Sequence, residues 1–141
     1  MLLQYITGIM GMTENEIRFH ERLLVNAFDQ DLRVLFWNKK CEMLFNISEQ
    51  KAIGTPLEDL LPWTRGHGKM ALLYNALSGE PVYIADEKYP HNDSYYDQIV
   101  LPLKDINGRV FAALNIVIDL GKPAEKANSR SRFSLALNNI Q

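Results

Sequence analysis

Cysteine is almost absent: Cys41 is the only one in 141 residues, so no disulfide can close within the chain. The same scarcity excludes a zinc knuckle built on cysteines, and a chain without disulfides suits a reducing compartment, which points to the cytoplasm. An excess of either charge is also missing. Fifteen Lys and Arg against seventeen Asp and Glu leave a net charge of −2. A protein that grips nucleic acid through many phosphates needs a basic surplus, so nucleic acid is not an expected partner. Long apolar runs are lacking as well. The uncharged opening, residues 1–12, is broken by Gln4, Thr7, Gly8 and Gly11 and falls short of the roughly 20 residues that span a bilayer. It has neither the basic flank nor the small-residue cleavage site of a secretory signal, and reads as a loosely ordered or interface-forming lead-in. With 8 Gly and 6 Pro, no repeats and no low-complexity tract, nothing suggests disorder.

What is present is core material: 47% hydrophobic and 23% charged residues, enough for one domain. Thr13-Glu14-Asn15-Glu16 forms a capping box and predicts a helix over residues 14–23, with Ile17, His20 and Leu24 on one stripe and Phe19 and Leu23 beside it. Residues 24–28 and 33–37 are β-prone and flank Asp29-Gln30-Asp31-Leu32, the pattern of a hairpin. Asn38 can cap a short helix carrying Cys41, Leu44 and Phe45, and Ser48 a further turn that ends at Gly54. Thr55-Pro56-Leu57-Glu58 reads as a second capping box with Pro56 in the first helical position, stopped by Pro62. Met70, Leu73, Tyr74 and Leu77 then write a longer helix closed by Gly79. Strands follow over 81–85, 95–103 and 109–118, the last two joined through Asn107-Gly108. Two strands, several helices, then three strands make an α+β fold.

This order resembles a PAS domain, the small sensory module. The resemblance runs from about Leu24 to Asp119. It rests on Phe28-Asp29, Trp37-Asn38, Ile53-Gly54, Leu57-Glu58-Asp59-Leu60-Leu61-Pro62, Ser78-Gly79-Glu80-Pro81, Leu101-Pro102-Leu103, Asn107-Gly108-Arg109-Val110 and the closing Ile116-Val117-Ile118-Asp119. It implies a five-stranded antiparallel sheet of order 2-1-5-4-3 with short helices on one face and the N-terminal amphipathic helix added to it. The chain then divides into a lead-in and helix (1–23), a PAS domain (24–119) and a positively charged linker or output segment (120–141). The resemblance also implies a non-catalytic sensor of a bacterial-type signalling protein, such as a two-component histidine kinase, that binds a small ligand or dimerises. Asp119 matches the family's closing aspartate, which couples to an output helix, although Leu120-Gly121 replaces the usual Ile-Thr.

The candidate site is the space between the sheet and the helix over 70–77, where Trp63, His67, Met70, Tyr74, Tyr83, Tyr96 and Asn115 could face a ligand. Each aromatic has a plainer reading as core or surface. Asn115 interrupts the apolar run 110–118, which is greasy on both faces and must be covered on both, by the domain's helices and by the first helix or a second subunit. That argument predicts a homodimer through the outer sheet face and the N-terminal helix, with Asn115 as a ligand contact or an interface pin.

The same residues bear on other chemistries. His67 occupies a place similar to the proximal histidine of haem-binding PAS sensors, but the flanking Gly66 and Gly68 would loosen the turn that aims the ring. A flavin–cysteine adduct is excluded, since Leu57 stands where that motif has its cysteine; Cys41 reads as a small buried hydrophobe. Asp86, Glu87, Asp93 and Asp97 with His91 gather acid on one loop, in a spacing that matches no cation-binding motif. As a small enzyme with an apolar pocket, the chain would use a pair such as Asp97 with Tyr96, and it predicts a carboxylate deep in the cavity. No nucleophile with its base, and no phosphate loop, is present in the sequence.

Overall fold

The computed structural model describes residues 2–62, 64, 68–88 and 93–122. Five strands, β1 (Leu23–Phe28), β2 (Val34–Trp37), β3 (Val82–Lys88), β4 (Tyr95–Lys104) and β5 (Val110–Gly121), form one sheet of order β2-β1-β5-β4-β3. Every paired neighbour is antiparallel. The expected α+β sheet is therefore the observed one. The two hairpin turns share one device. Asp29 Oδ1 accepts from the Asp31 and Arg33 amides, and Asp105 Oδ1 accepts from those of Asn107 and Arg109. Each turn then uses one left-handed residue, Leu32 or Gly108. At Leu32 the backbone cost is offset by burying the side chain. In the second turn Gly108 alone takes the positive φ, not the Asn107-Gly108 pair.

Four helices, α3 (Lys39–Phe45), α4 (Glu49–Ala52), α5 (Leu57–Leu60) and α6 (Lys69–Leu77), join the sheet's inner face in one apolar layer. Asn38 and Ser48 cap α3 and α4 through their side chains as the spacing predicts. The second capping box does not form. Thr55 lends its carbonyl to the Val34 amide and its hydroxyl to the Lys51 carbonyl, which leaves Pro56 as an N-cap without a side-chain bond. Gly79, with φ of 106°, closes α6 as expected.

The outer face holds the largest departure from the sequence reading. Of the two readings of the opening, loosely ordered or interface-forming, the second holds: it is a helix, α1 (Leu2–Met10), whose Ile6 and Met10 are buried in one cluster with Val25, Leu114, Ile116 and Ile118 of the sheet. Ile17 of α2 (Glu14–Arg18) joins them, and Tyr5 packs edge-on against Phe111 at 5.3 Å. The chain thus covers its own outer face. Of the two covers expected for this face, the first helix or a second subunit, the N-terminal helices supply one, so the sheet itself is not bare for the homodimer contact expected there. The Thr13 capping box forms, but α2 stops at Arg18, because Leu23 pairs with Ile118 and draws the following residues into the sheet.

Asn38 bolts these parts together. Its Oδ1 accepts from the amides of Val25 and Cys41, and its Nδ2 donates to the carbonyls of Ile17 and Leu23. One buried amide thereby joins α2, β1 and α3.

Because α1 closes the outer core, Ile6→Ala should lower unfolding free energy by about 2–4 kcal/mol in a denaturant titration. An unchanged midpoint would show that α1 is not part of the core.

Candidate functional site

The buried middle of the sheet's inner face is apolar except for one row. Asn26 of β1 stands directly opposite Asn115 of β5, and Val100 of β4 stands opposite Asn115 in turn. Two residues before Val100 on the same face comes Gln98. Asn115 Nδ2 donates to Asn26 Oδ1 at 2.9 Å, and Gln98 Nε2 donates to Asn115 Oδ1 at 2.7 Å. Asn26 and Asn115 are buried, while Gln98 is half-exposed at one end. Next to the opposite end lies Cys41 of α3, which donates from Sγ to the carbonyl of Val25, the residue before Asn26. Burial pushes the Cys41 thiol up to about 12, so it is an inert packing group and not a nucleophile.

This row crosses three strands in a layer otherwise built from Leu24, Phe28, Val100, Ala113 and Leu73. In such surroundings a polar group costs free energy unless it is paired. These amides pair with one another, and among the described residues no buried side-chain polar atom lacks a partner. The half-exposed Gln98 gives the row one end that a ligand's polar edge could meet without unpairing the buried members.

Of the residues singled out from the sequence, Asn115 lies in this row. Met70 packs half-buried against the same apolar layer. Tyr96, half-buried on the inner face, stands opposite Asp119. Asp119 accepts from the Gly121 amide through Oδ1 and lies 3.9 Å from Lys40 Nζ of α3 through Oδ2. Trp63 and His67, and with His67 the haem reading, lie outside the described residues, as does His91 of the acidic loop.

Two aromatics turn away from the site. Tyr74 is 55% exposed, because α6 presents Leu73, Ala76 and Leu77 to the sheet and leaves Tyr74 at the rim. Tyr83 is 51% exposed on edge strand β3, opposite Ile99 on the α1 side of the sheet. The Asp97 and Tyr96 pair is likewise split. Asp97 is fully buried but stands opposite Ile118, a member of the outer core, so its neighbour Tyr96 faces the other way. Asp97 accepts from the Asp86 amide at 2.9 Å and from the Tyr83 hydroxyl at 3.4 Å, fastening the bulge in β3. It is therefore no carboxylate of the inner cavity. Among the described residues no group of three or more His, Cys, Asp or Glu could hold a metal ion. No described helix is long and apolar enough to cross a membrane.

A family model described as "PAS fold" matches residues 22–125. The chain belongs to the PAS fold family. The PAS domain of the histidine kinase ThkA is 26% identical, with a TM-score of 0.55, covering 70% of this chain and 98% of that one. A sensory box sensor histidine kinase from Vibrio cholerae is 17% identical, with a TM-score of 0.60, over 74% of this chain and 87% of that one. The PAS domain of BvgS from Bordetella pertussis is 17% identical, with a TM-score of 0.61, over 85% and 92%. A comparison with curated proteins finds no match.

Asn26 and Gln98 escaped the sequence reading. Asn26 carried the same signal as Asn115, one polar residue within an apolar β-prone run, but only the register brings the two side by side. Asn115→Leu removes the middle of the row and strands Asn26 Oδ1 and Gln98 Nε2. It should cost about 1–3 kcal/mol in chemical unfolding; a neutral or stabilising effect would show that the row is not formed.

Proposed function

We propose that this chain is the sensory input domain of a bacterial-type signalling protein, on the cytoplasmic side, and that it is non-catalytic by itself. It binds a small, largely apolar ligand between the inner sheet face and α3–α6, with the Gln98 end of the amide row meeting the ligand's polar edge. The observation that carries this reading is the row itself: three cross-strand amides in an apolar layer, on a chain of the PAS fold family. The likeness to PAS domains of histidine kinases supports a kinase or similar output module as partner.

Trp63, His67, Met70 and Tyr96 belong to the proposed lining together with Asn115. Occupation of the site shifts a population between two packing states. Asp119 transmits the shift: it lies two residues before the end of β5 and is tied to α3 by Lys40 and to the start of β1 through Arg22. Dimerisation is proposed through the outward surface of α1.

Native mass spectrometry of the protein as purified tests both limbs. The expected result is a dimer, with a retained small molecule that Asn115→Leu protein lacks. A monomer carrying no small molecule, whose melting temperature is unmoved by a panel of apolar carboxylates, amides and heterocycles, would overturn the reading.

A further inference from the structure

His20 sits at the junction between the N-terminal helices and the sheet, just past Phe19, the C-cap of α2. Its Nδ1 accepts from two backbone amides, Arg22 at 3.0 Å and Leu23 at 3.1 Å. Two donors converging on one ring nitrogen require its lone pair, so the ring is neutral with its proton on Nε2. The Arg22 peptide is thereby bracketed. Its amide is held by His20, while its carbonyl accepts from the Asp119 amide at 3.0 Å. Arg22 Nη1 also donates to the Asp119 carbonyl at 3.4 Å, and Leu23 starts the pairing of β1 with β5 opposite Ile118.

We propose that His20 is a proton-binding latch: a proton taken up at Nδ1 expels the ring from the Arg22–Leu23 turn and loosens the anchor that holds the end of β5. The balance is simple. A lone pair that accepts two N–H groups becomes an N–H facing them, so both bonds break. The input is a proton and the response falls on Asp119, in the last turn of pairing before β5 ends at Gly121. The inference does not depend on what the inner face binds.

The surrounding charges act in both directions. Partial burial pulls the His20 pKa below the usual histidine value, while Glu16 of α2 and the adjacent Glu21 push it back up. Arg22 follows in the chain, and Asp119 of β5, held by Lys40 of α3, supplies the next charges at this junction. A pKa lower in the folded than in the unfolded chain sets the sign: the latch is fully closed above the unfolded value of about 6.5 and is lost as pH falls through the folded value.

The test uses nitrogen-15 NMR on the full chain. At pH 7.5 a long-range proton–nitrogen spectrum should show His20 with its proton on Nε2. Lowering the pH to 5.5 should speed amide exchange at Arg22, Leu23 and Asp119 by about tenfold or more after correction for intrinsic rates. His20→Asn offers a side-chain oxygen in place of Nδ1 but cannot be protonated in this range, and should abolish that response. If the variant does not fold, the wild-type tautomer and exchange rates decide the matter alone. A proton on Nδ1 at pH 7.5, no acceleration in the wild type, or the same acceleration in His20→Asn would overturn the proposal.

Discussion

The pairing of β1 with β5 is the constraint on which everything else rests. It joins the first strand to the last across some ninety residues of chain, with Leu23 opposite Ile118 and Asn26 opposite Asn115. Side chains alternate between the faces with a period of two, so a slip of one residue would send every apolar group of β5 to the wrong side. In the observed register Leu23, Val25 and Ala27 meet α1, while Leu24 and Phe28 meet the helices of the inner face. Asn26 then has only one place to go, against Asn115.

The two faces of this sheet are closed by different chemistry. The outer face is sealed chiefly by apolar packing, Ile6, Met10 and Ile17 over the β-branched and leucine residues of β1 and β5, with the buried Asp97 paired at its β3 side. The inner face carries the amide row inside its apolar layer, and β1 is tied to α3 through the Cys41 bond to the Val25 carbonyl. Asn38 belongs to both arrangements, since its four hydrogen bonds hold α2 under one face and α3 over the other. A rigid outer layer and a polar-lined inner one suit a domain that must hold its shape while responding to what enters on one side.

Local signals were legible in the residues themselves. Thr13, Asn38 and Ser48 announce their helices through short side chains that reach back to free amides, and Asp29 and Asp105 announce their turns by the same means. Long-range consequences were not. In the opening, Thr7 and Gly8 interrupt the apolar run and hide its helix, although Leu2, Leu3, Ile6, Ile9 and Met10 keep helical spacing. Met70, Leu73, Tyr74 and Leu77 fit a helical stripe in the sequence, but the face that α6 buries is centred on Leu73, Ala76 and Leu77, which leaves Tyr74 at its edge. Asp97 and Tyr96 are neighbours in the chain and strangers in the fold, as any adjacent pair on a strand must be. Asn26 and Gln98 became meaningful only when three strands lay in register.

The central claim is that this register encloses a continuous row of side-chain amides on the inner face. Side-chain amide NMR of Asn26, Asn115 and Gln98 tests it most directly. The account calls for cross-strand nuclear Overhauser contacts linking Asn26 to Asn115 and Asn115 to Gln98, with the Asn115 amide protons slow to exchange with solvent. Fast-exchanging amides without those contacts would contradict it.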